Sequence, residues 1–291
     1  MRRIEATFAA LKQEGRGGLI PFIIAGDPNL DVTHDLIIEL ARSGASIIEL
    51  GVPFSDPMAD GPVIQRSSER ALRNDPGIEE ILQIVSKARE QTDVPIVLFS
   101  YYNPLLQFGL ERLAKKAARM GVDGVLVTDL APEEAEDFQN ALSAQQLDMI
   151  YLVAPTSTDD RLQMIAGRAS GFIYAVSRTG VTGTSEELSN AAEILVGRLR
   201  AVTDLPVAVG FGISNKRQVE EVLRYADAAV VGSAIVAEIE KQSGNADLVK
   251  HVEAFVKRLM PTLGEYTSLA PQRQRREMRK PGASPQDRSS Q

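Results

Sequence analysis

The 291-residue chain contains no cysteine, which excludes disulfide bonds and thiol chemistry. It has only two histidines, His34 and His251, far apart in sequence, so a metal site or triad built on several histidines is not expected. No apolar run approaches the roughly 18 residues that indicate a membrane-spanning helix. The amino-terminal segment also lacks the apolar core of a signal peptide. We therefore expect a soluble, cytoplasmic protein.

Charge is distributed unevenly along the chain. The net charge is −7, yet residues 271–291 carry six basic and only two acidic side chains, so the rest is strongly acidic. An acidic body repels nucleic acid and anionic membrane, and neither is expected as a partner. Residues 265–291 have almost no apolar content and are predicted to be a disordered basic tail. The remaining residues, 1–264, are expected to form one domain.

Short apolar runs alternate with helical patterns along residues 1–264. The runs are rich in β-branched residues and nearly continuous in apolarity, which is typical of parallel strands buried on both faces. Ile4, Phe8 and Leu11 indicate an additional amino-terminal helix, and Ser214 is a candidate N-cap for a later one. The pattern predicts an α/β fold, a (β/α)8 TIM barrel, with a doubly wound open sheet as the alternative. The eight runs cover residues 19–25, 46–52, 94–100, 124–129, 148–154, 171–177, 206–212 and 228–233.

Two connections, 53–77 and 178–190, are longer than usual and follow the second and sixth strands. Both therefore lie at the carboxyl ends of the strands, where barrel enzymes build their active sites. Loops of this length in a compact domain are usually functional or disordered.

Two carboxylates flank the start of the first long connection. Glu49 interrupts the second apolar run, and Asp60 follows in a stretch stiffened by proline and glycine. A buried acid has a raised pKa and suits general acid–base chemistry, although a structural salt bridge is the alternative for Glu49. For Asp60 the alternative is a helix N-cap or turn residue, a role that Asp56 before Pro57 fits better.

Glycines cluster after the sixth, seventh and eighth strands, in "TGVTG" (179–183), "GFGIS" (210–214) and "GSAIV" (232–236). Backbone amides at helix starts, with no Cβ to block approach, favour phosphate. The sequence therefore predicts a phosphate site, with Ser233 donating its hydroxyl and its amide. The apolar runs contain no lysine, which argues against a Schiff-base aldolase. Aromatic residues on the strands could pack in the core or line an apolar pocket.

Taken in order, the motifs "PFIIAGDP", "IELGVPFSDPMADGPVIQ", "YYNP", "VTD", "VSRTGVTG", "GFGIS" and "GSAIV" resemble the tryptophan synthase alpha chain family over about residues 1–262. The resemblance implies a lyase that cleaves indole-3-glycerol phosphate to indole and glyceraldehyde 3-phosphate. Nothing carries over to the tail.

The resemblance also implies roles for individual residues. Glu49 would be the general acid–base, and Asp60 would bind the indole N–H and stabilise positive charge there. Loop 178–190 would be a lid, with Thr182 reaching Asp60 on closure. The implied substrate-binding residues are Phe22, Ile64, Phe99, Tyr101, Leu126, Tyr174, Thr182, Gly183, Phe211, Gly212, Gly232 and Ser233.

The implied partner is a beta chain in an α2β2 complex, contacted through residues 53–60. Pyridoxal phosphate would belong to that beta chain, and no cofactor is expected in this chain. Two alternatives stay open on the sequence: a phosphosugar isomerase or epimerase on the same barrel, and a non-catalytic allosteric partner of a beta chain. The presence of both Glu49 and Asp60 argues against the second alternative.

Overall fold

Eight parallel strands pair in chain order and close into a barrel in the computed structural model, which describes residues 1–176, 185–210 and 212–261, without the side chains of 185–189. The predicted (β/α)8 barrel is confirmed, and the open sheet is wrong because β8 pairs with β1. The strands are β1 (Gly18–Ile24), β2 (Ile48–Gly51), β3 (Ile96–Ser100), β4 (Gly124–Val127), β5 (Asp148–Val153), β6 (Ile173–Val176), β7 (Val207–Gly210) and β8 (Ala228–Val231).

Side chains along each strand alternate between the barrel interior and the layer under the helices, as the two-residue period of a strand requires. Val97 of β3 belongs to the interior cluster, whereas its neighbour Leu98 belongs to the larger cluster outside the barrel. Leu126 and Val125 divide in the same way on β4. Because both layers are apolar, the strands read as continuous hydrophobic runs.

Helices cover the outside of the barrel, and the described residues form twelve α-helices and one short 3-10 helix. The helical patterns between the apolar runs are confirmed. The helices are α1 (Arg3–Gln13), α2 (Leu30–Arg42), α3 (Pro62–Leu72), α4 (Ile78–Ala88), α5 (Tyr102–Phe108), α6 (Leu110–Met120), the 3-10 helix (Pro132–Glu134), α7 (Glu136–Ala144), α8 (Asp159–Arg168), α9 (Ser185–Arg200), α10 (Lys216–Val222), α11 (Ser233–Lys241) and α12 (Leu248–Leu259).

The expected N-cap of α10 is wrong by one residue. Asn215 caps this helix, and its side-chain oxygen accepts a hydrogen bond from the Gln218 amide at 3.1 Å. The Ser214 hydroxyl instead donates to the Gln218 side chain at 3.1 Å. Asparagine and serine are both good N-caps, so their adjacency left the sequence ambiguous.

The long connection after β2 is helical over much of its length. Helix α3 begins at Pro62, whose fixed φ suits the first helical position, and Gly61 occupies the N-cap. Thus Ile64, expected in a loop, lies in the first turn of a helix. The other long connection, 178–190, contains the start of α9 at Ser185, and residues 177–184 lie outside the described part of the chain.

Helix α1 closes the amino end of the barrel, as the pattern of Ile4, Phe8 and Leu11 predicts. All three are buried in the interior cluster, and the Phe8 ring packs 5.8 Å from the Phe172 ring. Arg2 and Arg3 extend this contact by pairing with Asp148 and Asp123, which lie at the starts of β5 and β4. The interior is therefore sealed at this end.

Two aspartates fasten the amino ends of neighbouring strands in the same manner. Asp123 accepts the Ile96 amide at 2.8 Å and pairs with Arg89 at 2.7 Å. Asp227 accepts the Val207 amide at 2.7 Å and pairs with Arg200. Surface cavities of about 450 and 570 Å³ flank α1 at this end. This end of the barrel carries structural ion pairs, whereas barrel enzymes build their active sites at the opposite end.

The division into a domain at 1–264 and a tail at 265–291 stays a prediction. The described residues end at Pro261, and the whole predicted tail lies outside them. Within the described residues, no helix has the combination of length and apolarity that crossing a membrane requires.

Candidate active site

Glu49 is a buried acid inside the barrel. It lies on β2, in register with Phe22 of β1 and Val97 of β3, and its side chain is 1% exposed. Its Oε1 atom has no hydrogen-bond partner among the described residues, and none of their ion pairs involves Glu49. The salt-bridge alternative therefore has no support. Burial raises the pKa of Glu49 to about 8, so the group is mostly protonated at neutral pH.

Tyr174 of β6 shares the interior with Glu49. Burial raises the pKa of Tyr174 well above its usual value, and the negative charge of Glu49 raises it further. The phenol fits only because Gly210 of β7 lacks a side chain: a Cβ there would lie 2.0 Å from the Tyr174 hydroxyl oxygen. Tyr174 is therefore a neutral hydroxyl in the same enclosed space as the Glu49 carboxyl.

Asp60 is partly buried just before α3. Burial raises the pKa of its carboxyl to about 6, and a hydrogen bond from Tyr101 opposes that rise. Its amide donates to the Pro57 carbonyl at 3.0 Å, which closes a tight turn. The N-cap role considered for Asp60 is wrong, because Gly61 holds that position. The backbone forms a turn while the carboxylate stays available for other contacts.

A cluster of apolar side chains around Phe22 and Phe99, named the slot, lies next to Glu49. The rings of Phe22 and Phe99 meet edge to face at 5.1 Å, and Ile64 packs in the same cluster. Phe99 also packs against the interior cluster that contains Leu126 and Tyr174. The structure thus brings these five predicted residues into two adjoining clusters that share Phe99.

The barrel interior opens toward the carboxyl ends of the strands. Phe99, Leu152 and Val176 are only partly buried, although they face the interior cluster. Ile20 and Val97, deeper in the barrel, are 0% exposed. The slot is consequently reachable from the end at which Asp60 lies.

The amino end of α11 adjoins the slot and could hold an anion. Gly232 is the N-cap residue, and a Cβ placed there would lie 3.4 Å from Phe22. Ser233 begins the helix and is exposed. The first amides of a helix have no partner within it and attract anions. Gly212 has φ +78, a left-handed conformation that favours glycine.

Sequence reasoning missed Gly51 and Gly210, which make room for the aromatic rings. A Cβ on Gly51 would lie 2.8 Å from the Phe22 ring, so Phe22 can occupy the slot only beside a glycine. Glycine inside an apolar strand was the available signal, because it often marks a close approach. Thr182, Gly183 and Phe211 lie outside the described residues, and their roles stay predictions.

The comparison with known protein families agrees with this geometry. The family described as "Tryptophan synthase alpha chain" matches residues 8–263. The chain belongs to the tryptophan synthase alpha chain family. A tryptophan synthase alpha chain of Solibacter usitatus (strain Ellin6076) is 48% identical over 264 residues, which cover 91% of this chain and 99% of the relative. That of Geobacter sulfurreducens is 49% identical and is covered completely, with 91% of this chain aligned.

Solved structures of tryptophan synthase agree in fold. Subunit alpha from Legionella pneumophila str. Paris superposes with a TM-score of 0.82 at 36% identity, covering 89% of this chain and 97% of that one. Tryptophan synthase from M. tuberculosis in an aminoacrylate-bound form superposes with a TM-score of 0.80 at 34% identity. The superposition covers 89% of this chain and 98% of that one. As a member of the tryptophan synthase alpha chain family, the chain is a lyase of tryptophan biosynthesis that cleaves indole-3-glycerol phosphate. The isomerase and non-catalytic alternatives receive no support.

Proposed function

We propose that Glu49 and Asp60 carry out the retro-aldol cleavage of indole-3-glycerol phosphate to indole and glyceraldehyde 3-phosphate. The observation that carries this proposal is Glu49 itself, an acid 1% exposed whose Oε1 has no partner among the described residues. Burying an acid without a partner destabilises a fold, so a chemical role accounts for its presence.

Glu49 moves the protons. In its neutral form it donates a proton to C3 of the indole ring, which leaves positive charge on the ring nitrogen. The resulting carboxylate then takes the proton of the glycerol hydroxyl next to the bond that breaks. The electrons of that carbon–carbon bond return to the ring, and the new carbonyl leaves as glyceraldehyde 3-phosphate. Because the pKa of Glu49 is about 8, the group can both donate and accept near neutral pH.

Asp60 stabilises the charge that develops on the ring. As a carboxylate it accepts a hydrogen bond from the indole N–H, and that interaction strengthens when C3 is protonated. Its pKa of about 6 keeps it mostly ionised at pH 7 while Glu49 remains mostly protonated. Two acids of one site with different pKa values can divide the roles of charge stabiliser and proton carrier in this way.

The slot binds the indole part of the substrate, and the amino end of α11 binds its phosphate. The indole ring packs on the Phe22 and Phe99 pair, with Ile64, Leu126 and Tyr174 around it. The phosphate lies on the amides at Gly232 and Ser233, which adjoin Phe22. Gly212, in the loop after β7, would also hold the phosphate, as the resemblance implies. The contributions of Thr182, Gly183 and Phe211 rest on the resemblance alone.

A tryptophan synthase beta chain completes the proposed assembly, an α2β2 complex in the cytoplasm, in which the beta chain binds pyridoxal phosphate and this chain binds no cofactor. Support comes from the similar structure of tryptophan synthase from M. tuberculosis. The expected contact segment 53–60 carries Met58, a large apolar side chain that is 85% exposed. A partner bound at this segment would lie next to Asp60 and would therefore affect turnover.

The test is indole formation from indole-3-glycerol phosphate, measured with the purified chain alone and with a beta chain. We expect indole in both cases and faster release with the partner. Isomerised or epimerised sugar phosphate without indole would contradict the proposal. So would a Glu49→Gln variant with the same turnover as the unmodified chain.

A further inference from the structure

We propose that Tyr101 is a positioning residue for Asp60: its hydroxyl holds the backbone amide that precedes Asp60 and faces the Asp60 carboxylate, and its ring does not line the substrate slot. The inference rests on the proposed role of Asp60 in the cleavage. It also revises the expectation that Tyr101 binds the substrate directly.

The Tyr101 hydroxyl contacts two consecutive residues of the segment before α3. Its oxygen accepts a hydrogen bond from the Ala59 amide at 2.9 Å, and the hydroxyl lies close enough to the Asp60 carboxyl to lower the pKa of that group. A phenol offers one proton and can accept as well, so one group serves both contacts. The peptide that leads into Asp60 is therefore tied to the Tyr101 hydroxyl, and the carboxylate lies beside the same group.

The barrel fixes the position of that atom. Tyr101 lies between β3 and α5 and is 5% exposed. On one side, the Ser100 hydroxyl donates to the Tyr101 carbonyl at 2.8 Å. On the other, the Tyr102 amide donates to Asp129 at 2.6 Å. The ring packs on Phe54 with centroids 5.2 Å apart. Loop residues alone would hold Asp60 loosely, whereas Tyr101 connects it to the sheet.

The contact also favours the ionised form of Asp60. Burial raises the pKa of Asp60, and the hydrogen bond from Tyr101 lowers it. Burial, together with the charges of Asp60 and Asp129, raises the pKa of Tyr101 far above neutrality, so the hydroxyl keeps its proton in the working range. The other carboxyl of the site, Glu49, acts electrostatically on Tyr174 and is not among the groups that shift the pKa of Asp60. Loss of the Tyr101 hydroxyl should therefore raise the pKa of Asp60 above about 6.

Tyr101→Phe removes the hydroxyl and keeps the ring on Phe54. Two measurements apply: the pKa of Asp60 from carbon-13 NMR of its carboxyl, and the pH profile of kcat for indole formation. We expect the Asp60 pKa and the acid limb to rise together by about 0.5–1 unit. We expect kcat to fall about 5- to 50-fold while KM changes less than about threefold, since misplacement of a charged group acts mainly on the transition state.

The matched control is Tyr151→Phe, which removes a buried hydroxyl that bonds to Gln139 at 3.2 Å outside the barrel. It should leave both readouts unchanged. Phe54→Leu is a second variant, which keeps the Tyr101 hydroxyl but removes the ring it packs on, and should shift Asp60 in the same direction by less. If Tyr101→Phe does not fold, Phe54→Leu provides the measurement of the Asp60 pKa instead.

The outcomes separate this inference from the proposed function. If Asp60→Asn retains full turnover, the proposed role of Asp60 fails. If Asp60→Asn loses turnover while Tyr101→Phe and Phe54→Leu leave the Asp60 titration unchanged, the positioning inference alone is overturned. A lower melting temperature in Tyr101→Phe with an unchanged Asp60 pKa overturns it too, and so does a raised KM with unchanged kcat, which would make Tyr101 a substrate contact.

Discussion

Glu49 lies directly beside Phe22 in the register between β2 and β1. The buried acid and the edge of the aromatic slot are therefore cross-strand neighbours, and the same strand pairing fixes both. Gly51, two residues after Glu49, leaves the space that the Phe22 ring occupies. An indole ring packed on Phe22 would thus meet the Glu49 carboxyl inside a dry pocket, which strengthens electrostatic contacts and excludes water from the proton transfers.

Replacement of Glu49 by glutamine should abolish most turnover and retain binding. The amide has the same shape but cannot transfer a proton, and loss of general acid–base catalysis lowers rates about 10²–10⁴-fold. Turnover of indole-3-glycerol phosphate and its dissociation constant measure the two effects. Glu90→Gln, at an exposed position, is the control and should behave as the unmodified chain. Parallel losses of binding and turnover would contradict the assignment.

The rate should depend on pH in a bell shape. Asp60 must be ionised, so activity falls as the pH drops through its pKa of about 6. Glu49 must be protonated to begin the reaction, so activity falls as the pH rises through its pKa of about 8. The profile of kcat/KM between pH 5 and pH 9.5 reports the free-enzyme values. A profile without an alkaline limb would remove Glu49 as the initial proton donor.

The burial of Glu49 should also destabilise the fold at neutral pH. Its pKa is about 8 when folded and near 4.5 when unfolded, so the folded state binds the proton more tightly. The stability that the protonated group contributes is complete below pH 4.5 and is lost as the pH rises to about 8. Glu49→Gln should therefore raise the free energy of unfolding by about 1–3 kcal/mol at pH 7 and by little at pH 4. Urea unfolding of both proteins at the two pH values measures this, and an equal difference at both would contradict the linkage.

The barrel could be predicted from the sequence because every strand is an apolar run and helices such as α2 and α6 have a clear apolar period. Glu49 could be found for the same reason, since one acid stands out in an apolar strand. Helix α3 was less visible: its buried face consists of Ser67, Ser68 and Ala71, so the apolar spacing that indicates a helix is missing. Contacts between distant residues, such as that of the Tyr101 hydroxyl with the Ala59 amide, could not be read from local patterns at all.

An ion pair between Arg70 and Asp27 should hold α3 against the end of β1. Asp27 is 1% exposed and accepts from Arg70 at 2.9 and 2.7 Å, and Arg70 also reaches Glu240 of α11 at 2.9 Å. Arg70→Met leaves a buried carboxylate without its cation and should lower stability by about 3 kcal/mol. Chemical denaturation measures the change.

Arg66 offers a matched control for Arg70. It lies one turn earlier on α3 and pairs with Glu240 at 2.7 Å, but its side chain is 49% exposed. Exposed ion pairs contribute little, so Arg66→Met should leave stability nearly unchanged. In Arg70→Met, a further change of Asp27 to asparagine should recover part of the loss, because it removes the unpaired charge. Equal losses of stability in the two arginine variants would show that the buried ion pair contributes no more than the exposed one.

Gly232→Val should weaken phosphate binding selectively. At this position a Cβ meets Phe22 at 3.4 Å, an ordinary contact, so the fold can accept a side chain more readily than at Gly212, where φ is +78. The added methyl groups would stand in front of the first amides of α11 and keep phosphate from them. Titration with glycerol 3-phosphate should show at least about tenfold weaker binding, equivalent to about 1.4 kcal/mol, while an indole analogue loses less. Gly197→Val on α9, where a Cβ meets nothing within 4 Å, is the control and should change neither affinity. If both ligands lose affinity equally in Gly232→Val, the substitution has distorted the slot through Phe22, and the phosphate site must be sought elsewhere on the barrel rim.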